Sequence, residues 1–458
     1  MDKEQVIPVK DLTAKTAAPI YVRKVQGRWS KLRQRLGGFL VVLFILLPWF
    51  SWHGRQAIWI DIPSQKIHLF GLVLWPQDLI IIALLFMLAA MGLFWLTTWL
   101  GRVWCGYACP QTIWTYLFIW CEEQFEGSRN QRITLDKGPW TWNKLRRKGL
   151  KHGAWLVISF ITALTFLSYF NPSALLYRHV LSGQASMTIY GFTLFFMVAT
   201  YLNAGWLRET MCTHMCPYAR IQAVMFDNKS YLADYDASRG EKRGPRRRQQ
   251  SPALLGLGDC VDCNLCVQVC PAGIDIRQGL QYECINCGAC IDACDRVMAT
   301  MGYRQGLIRY ISEHQKKGRN SAMTRPKLWV YGGACIGLIM AILALIVNLK
   351  PIELDVLRDR NVLYRMNDQG WVENTYTLKL MNKSDETQIV QLHLQDLPEH
   401  HWQGTQQVTL AAGESQLVPI TIAAQVTGSD LAIKPITFIA KQPLNNIEIV
   451  QKSRFFSQ

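Results

Sequence analysis

The chain has 458 residues, half of them hydrophobic, with 14 cysteines and a formal net charge of +16. Its mean hydropathy is nevertheless near zero at +0.06, so apolar blocks alternate with strongly polar ones, and the length suffices for two or three domains. The basic excess does not indicate a nucleic-acid partner, because the lysines and arginines gather beside the apolar blocks, where anionic lipid accounts for them.

In chain order, residues 1–35 form a basic N-terminal segment, and Leu36–Trp52 is a short apolar span. No small-residue cleavage site follows that block, so it reads as an anchor and not a signal peptide. Ile58–Trp75 alternates in part and carries Pro63-Ser64, which suggests a short hairpin lying on the membrane. Leu79–Leu100 runs without a charge, and Gly153–Phe170, Thr188–Leu207 and Leu328–Leu349 follow. Crossing a bilayer as a helix takes about 17–25 apolar residues. One such block could be a buried core helix, but the full set points to a bundle of five spans.

Charge placement orients the bundle. Arg23, Lys24, Arg28, Lys31, Arg33 and Arg35 precede the first span. Arg129, Arg132, Lys137, Lys144, Arg146, Arg147, Lys148 and Lys151 lie between the second and third, and Lys242, Arg243, Arg246 and Arg247 between the fourth and fifth. The other two connections carry little positive charge. The positive-inside rule then sets the N-terminus in the cytoplasm and the C-terminus outside. The expected divisions are a membrane domain over 36–249, an iron–sulfur domain over 250–327, a last helix over 328–349 and an outer domain over 351–458. In that outer domain, β-like runs at Thr375–Met381, Thr387–Leu394, Gln406–Leu410, Gln416–Ala423 and Ile436–Ala440 alternate with turn residues. Such spacing suggests an antiparallel sandwich of immunoglobulin type.

The cysteine pattern within 250–327 is the most specific signal. It reads Cys260-x-x-Cys263-x-x-Cys266-x-x-x-Cys270-Pro271, then Cys284-x-x-Cys287-x-x-Cys290-x-x-x-Cys294-Asp295. This is the bacterial two-cluster ferredoxin spacing, complete once and lacking only the final proline the second time. Each short loop offers three thiolates to one face of a cubane, while the fourth cysteine ligates the other cluster. Cys260, Cys263, Cys266 and Cys294 are therefore assigned to one [4Fe–4S] cluster, and Cys284, Cys287, Cys290 and Cys270 to a second. Zinc would call for two separate four-ligand sites with longer internal gaps.

A second motif occurs twice. Trp99-Leu100 precedes Cys105-Gly106-Tyr107-Ala108-Cys109-Pro110, and Trp206-Leu207 precedes Cys212-Thr213-His214-Met215-Cys216-Pro217. Distances are kept between the copies, which implies a local duplication of span plus motif. Residues four apart share a helix face, and proline suits a first helical turn. The cysteine before each proline then sits at a helix N-terminus, where the dipole favours thiolate. Two pairs could converge into four soft ligands, with His214, Met211 and Met215 nearby. Soft sulfur donors suit Cu(I) and iron–sulfur centres alike, so a copper site, a third cluster, a redox dithiol and plain buried thiols all remain open. Cys121 and Cys335 read as packing residues. No span holds a central histidine of the kind that ligates a membrane haem, and no Walker or Gly-x-Gly-x-x-Gly signature is present.

Together, five spans, the repeated Cys-x-x-x-Cys-Pro motif, the dicluster insert and the β-rich tail resemble the cytochrome c oxidase accessory protein family CcoG, also called FixG or RdxA. The resemblance covers nearly the whole chain. It implies a multi-pass protein of the bacterial inner membrane that serves assembly of cbb3-type oxidase, with Cu(II) reduced to Cu(I) at Cys105, Cys109, Cys212 and Cys216. A cytoplasmic electron donor, the oxidase assembly factors and a copper chaperone or exporter are the expected partners. A quinol-linked respiratory conduit and a non-catalytic assembly scaffold are the competing readings.

Overall fold

The computed structural model describes residues 20–457 except 226, 249, 317, 319–324, 360–361, 385, 398, 426–432 and 444–446. The chain divides into two compact units: Met1–Leu47, Ala83–Tyr169 and Ser173–Ala341 form the first, and Pro48–Ile82, Phe170–Pro172 and Ile342–Gln458 the second. Among the described residues, five helices are long and apolar enough to cross a membrane, at Arg28–Trp49, Pro76–Leu100, Trp142–Leu167, Met187–Met215 and Pro326–Val347. They leave large apolar side chains such as Phe86, Phe195 and Met340 exposed, as lipid-facing helices do. The first and third helices begin well before their apolar blocks. Backbone hydrogen bonding carries a helix through charged residues as readily as through apolar ones, and the Thr141 hydroxyl caps the third by accepting from the Lys144 N–H. The fourth extends past Leu207 through π turns at Leu202–Leu207 and Met211–Met215.

Within the first unit, Phe118, Cys121, Trp155 and Ala204 form a small buried core. Gly205 lets that packing close: a Cβ there would lie 3.1 Å from the Trp155 ring. Charges satisfy one another beside it, Glu122 pairing with Arg132 at 2.7 Å and with Arg208 at 2.5 Å, and Glu126 with Lys151 at 2.9 Å. The iron–sulfur segment is built on a two-stranded ladder, Leu232–Tyr235 against Ile308–Ile311, with helices at Leu265–Gln268 and Ala289–Met301. It is fastened to the first membrane helix by Asp292. That carboxylate accepts from the Trp29 and Ser30 N–H groups at 3.1 and 2.7 Å, satisfying donors that a helix N-terminus leaves open.

The second unit is a sandwich of two antiparallel sheets. One runs His400–Gln403, Ser415–Ala424, Val372–Asn382, Ile352–Arg358, with Arg365–Met366 also on Val372–Asn382; the other runs Gln407–Leu410, Gln388–Gln395, Ile433–Gln442, Ile447–Phe456. Alternate residues point inward, so Tyr376, Leu378, Leu380, Val390, Phe438 and Phe455 share one core. All five expected strands form. Ile352–Arg358, His400–Gln403 and Ile447–Phe456 add to them; their charged outward residues, such as Asp355, Lys452 and Arg454, disguise the alternation. Ile58–Leu74 is a three-stranded meander, one strand more than the expected hairpin. Its end packs on the sandwich: Val73 and Trp75 cluster with Met381, and Lys66 Nζ donates to the Gly413 carbonyl at 2.8 Å.

Candidate functional site

The two cysteine loops of the iron–sulfur segment have the same backbone. Asp262 and Asn264 in the first, and Asn286 and Gly288 in the second, all adopt positive φ between 53° and 71°. Asn, Asp and Gly are the residues that enter this region most readily. Each left-handed pair turns the chain into a helix, which begins directly after Asn264 or Gly288. Cys260, Cys263, Cys266 and Cys294 line one cavity, with Tyr235, Met298 and Leu307. Cys266, Cys270, Cys284, Cys287 and Cys290 line a second, with Ala233, Ile274 and Ile276. Thus the fourth cysteine of each run faces the cavity of the other.

The residues fit iron–sulfur clusters chemically. Burial pushes the Cys266 and Cys284 thiols up to about 11 and those of Cys270 and Cys294 to about 12. Thiolates in such walls call for a bound cation, and iron supplies that charge. Backbone N–H groups of Ala272 and Ile274 point to Cys270, and that of Asn286 to Cys284, the kind of hydrogen bond that tunes a cluster.

The repeated motif departs from the geometry expected of it. Cys105 lies in a short helix, Val103–Tyr107, whereas Cys109 is extended (φ −66°, ψ 127°) and precedes a new helix, Pro110–Phe125. Cys216 is likewise extended (φ −79°, ψ 112°), after the turn Met211–Met215 and before Pro217–Met225. The two cysteines of a motif therefore flank a helix break instead of sharing one helix face. Proline causes it, by pushing the residue before it out of the helical region. The expected helix N-terminus is present, and the Cys109 thiol meets the N–H groups of Gln111 and Thr112, although burial outweighs them and raises its pKa.

The two motifs converge within one chain. The Cys105 thiol is pushed up to about 12 by burial first and then by Cys109, Cys212 and Cys216, with Arg102 acting against them. Cys105 Sγ donates to Gln222 Oε1 at 3.2 Å. Gln222 is fully buried, and its Nε2 donates to Thr97 Oγ1 at 3.1 Å and to the Tyr218 hydroxyl at 3.3 Å. His214 is exposed on the turn that carries Cys212. Among the described residues, no three His, Cys, Asp or Glu side chains are close enough to hold a single metal ion.

Sequence reasoning missed Arg102 and Gln222. A signal for both exists in the repeat itself. The positions matching Arg102 and Gln222 in the other copy are Glu209 and Thr115, so both fall where the duplication is broken.

Known proteins resolve the family. Residues 207–313 match the 4Fe-4S dicluster domain, and residues 342–458 match the IG-like fold at the C-terminal of FixG. Protein RdxA of Cereibacter sphaeroides is 34% identical over 441 residues, 92% of each chain. The chain belongs to the FixG/RdxA family. The nitrogen fixation protein FixG of Rhizobium meliloti is also 34% identical, over 83% of this chain and 79% of its own. The ferredoxin-type protein NapH of Escherichia coli is 24% identical over 53% of this chain and 86% of its own. Family, five apolar helices and dicluster domain together make this a multi-pass membrane iron–sulfur protein of electron transfer.

Proposed function

We propose that this membrane protein passes single electrons from the cytoplasm to the four thiols of Cys105, Cys109, Cys212 and Cys216, and that Cu(II) bound there is reduced to Cu(I) for assembly of a cbb3-type cytochrome oxidase. The observation that carries this reading is the contact between the two motifs, through Cys105 on Gln222 and Arg102 on the Ala219 carbonyl, in the same compact unit as the eight-cysteine segment. Cys260, Cys263, Cys266 and Cys294 hold one [4Fe–4S] cluster, and Cys270, Cys284, Cys287 and Cys290 hold the other. When bound, the clusters supply reversible one-electron couples. Each Cu(II) gains one electron, and a cytoplasmic reductant of the flavin or ferredoxin class loses it. Sulfur donors favour Cu(I), the form a thiol-bearing chaperone or exporter can accept. Placement of positive charge supports a cytoplasmic iron–sulfur segment and a periplasmic sandwich, and oxidase assembly factors are the partners this reading gives to the sandwich.

The test is anaerobic Cu(II) reduction by cluster-loaded protein, with wild type compared against a variant carrying Ala at all four pair cysteines. Turnover lost while iron is retained is the expected outcome. Equal turnover in both proteins overturns the assignment of copper chemistry to the pairs.

A further inference from the structure

The two cavities are not equivalent with respect to the four-thiol site. Gly106, inside the first motif, lies against the second cysteine loop: a Cβ there would sit 2.6 Å from the Ile285 carbonyl oxygen, 3.0 Å from Cys287 Cα and 3.1 Å from Cys287 N. Backbone meets backbone with no side chain between. Three residues before Cys105, the buried Arg102 completes the junction. Its guanidinium donates to the Tyr282 carbonyl, two residues before Cys284, and to the Ala219 carbonyl at 2.6 Å, on the helix that follows the second motif. It also lies 4.7 Å over the Tyr282 ring. A single side chain thus joins the first motif, the second motif and the Cys284 loop. Asn286 fixes the same loop from the other side, its Nδ2 donating to the Leu100 carbonyl at 2.9 Å and its Oδ1 accepting from the Ala233 N–H at 2.8 Å.

The broken repeat agrees with this asymmetry. Gly106 and Arg102 occur only in the first copy; Thr213 and Glu209 take their places in the second. A threonine at 106 would collide with the cysteine loop, and a glutamate at 102 could not donate to two carbonyls. The copy that touches the loop carries the residues that permit the contact.

We infer that the Cys270, Cys284, Cys287 and Cys290 set is the inner carrier, which hands electrons to the four-thiol site across the Gly106–Cys287 contact, and that Arg102 is the positioning residue of this junction. The Cys260, Cys263, Cys266 and Cys294 set is then the outer carrier, which receives electrons from the cytoplasmic reductant. Each transfer moves one electron, so the inner carrier is oxidised by one as the acceptor at the thiols is reduced by one. The inference rests on the proposed reading of the four thiols as the electron-accepting site.

Arg102 places its charge on the Cys284 loop through the Tyr282 carbonyl, whereas Arg277 lines the outer cavity. These two arginines allow a matched test in full-length, cluster-loaded protein held in lipid nanodiscs without oxygen. In EPR-monitored redox titrations, Arg102→Gln makes one cluster harder to reduce and leaves the other unchanged, while Arg277→Gln shifts the other cluster. Arg102→Lys keeps the charge without the two-pronged donor geometry, so it restores the potential but leaves electron delivery slow. Gly106→Ala retains iron and both potentials, yet oxidation of the reduced protein by added Cu(II) slows severalfold, because the added Cβ forces the two backbones apart. Both glutamine variants shifting the same cluster would overturn the inference, as would an unchanged oxidation rate in iron-replete Gly106→Ala. If wild-type protein is not oxidised by Cu(II) at all, the copper reading fails, and the paired titrations still decide whether Arg102 serves the inner cavity alone.

Discussion

The iron–sulfur segment and the C-terminal sandwich are stabilised by opposite means. All 14 cysteines lie outside the second unit, whose core of Tyr376, Leu378, Leu380 and Phe438 is apolar and closed. The iron–sulfur segment has a smaller core and helices as short as the four residues of Leu265–Gln268. It is held by polar clamps such as Asp292 and Asn286, and its centre is lined with thiols that burial makes hard to ionise. A sandwich can keep its shape on packing alone. A thiol-lined segment depends on what its cysteines bind, in the way that small metal domains couple binding to folding.

Removing iron sharpens that contrast most. Chelation under oxidation is expected to abolish hydrogen-exchange protection across the ladder Leu232–Tyr235 and Ile308–Ile311, while protection in Val372–Asn382 persists. Loss in both regions, or in neither, would break the comparison. Next in size is Phe438→Ala, which empties the middle of the sandwich and costs about 3–5 kcal/mol. Denaturant unfolding of the sandwich should show it, with iron content per chain unchanged. Asn286→Ala has the reverse signature. It leaves the Ala233 N–H without its partner and places a side chain unsuited to φ 56° in the cysteine loop. The expected cost is about 1–3 kcal/mol, read as faster iron release with the sandwich unaffected.

The smallest effect is a pH dependence. Burial alone would raise the Asp275 carboxyl, but hydrogen bonds from the Arg277 side chain and N–H, together with its charge, hold it below the usual carboxylate range. Its contribution is therefore present above the unfolded value of about 3.9 and is lost as pH falls through the lower folded value. Iron release on acidification should begin at a higher pH in Asp275→Asn than in wild type. Identical acid profiles would show that this pair does not stabilise the outer cavity.

The same contrast governs what could be read from the residues. Cluster cysteines are legible because a cubane demands fixed loop lengths, and the left-handed turns at Asp262, Asn264, Asn286 and Gly288 are written in residue types that favour them. The five spans are legible from hydropathy, but their ends are not, since helices run on through charged residues to Arg28 and Trp142. In the repeated motif the spacing is legible and the geometry is not: proline breaks the helix between the paired cysteines. Arg102 and Gln222 act across more than 100 positions, on Tyr282, Ala219 and Cys105, and no local pattern marks such contacts. The strand Ile447–Phe456 escaped notice because Lys452 and Arg454 interrupt its apolar run.

Under the proposed function, twelve of the cysteines divide into eight that hold electron carriers and four that handle a substrate ion. Iron counted per chain in anaerobically purified wild type, and in the variant with Ala at Cys105, Cys109, Cys212 and Cys216, tests that division most directly. The prediction is about eight irons in both proteins. About twelve in wild type, falling to about eight in the variant, would contradict it and make the four thiols the ligands of a third cluster.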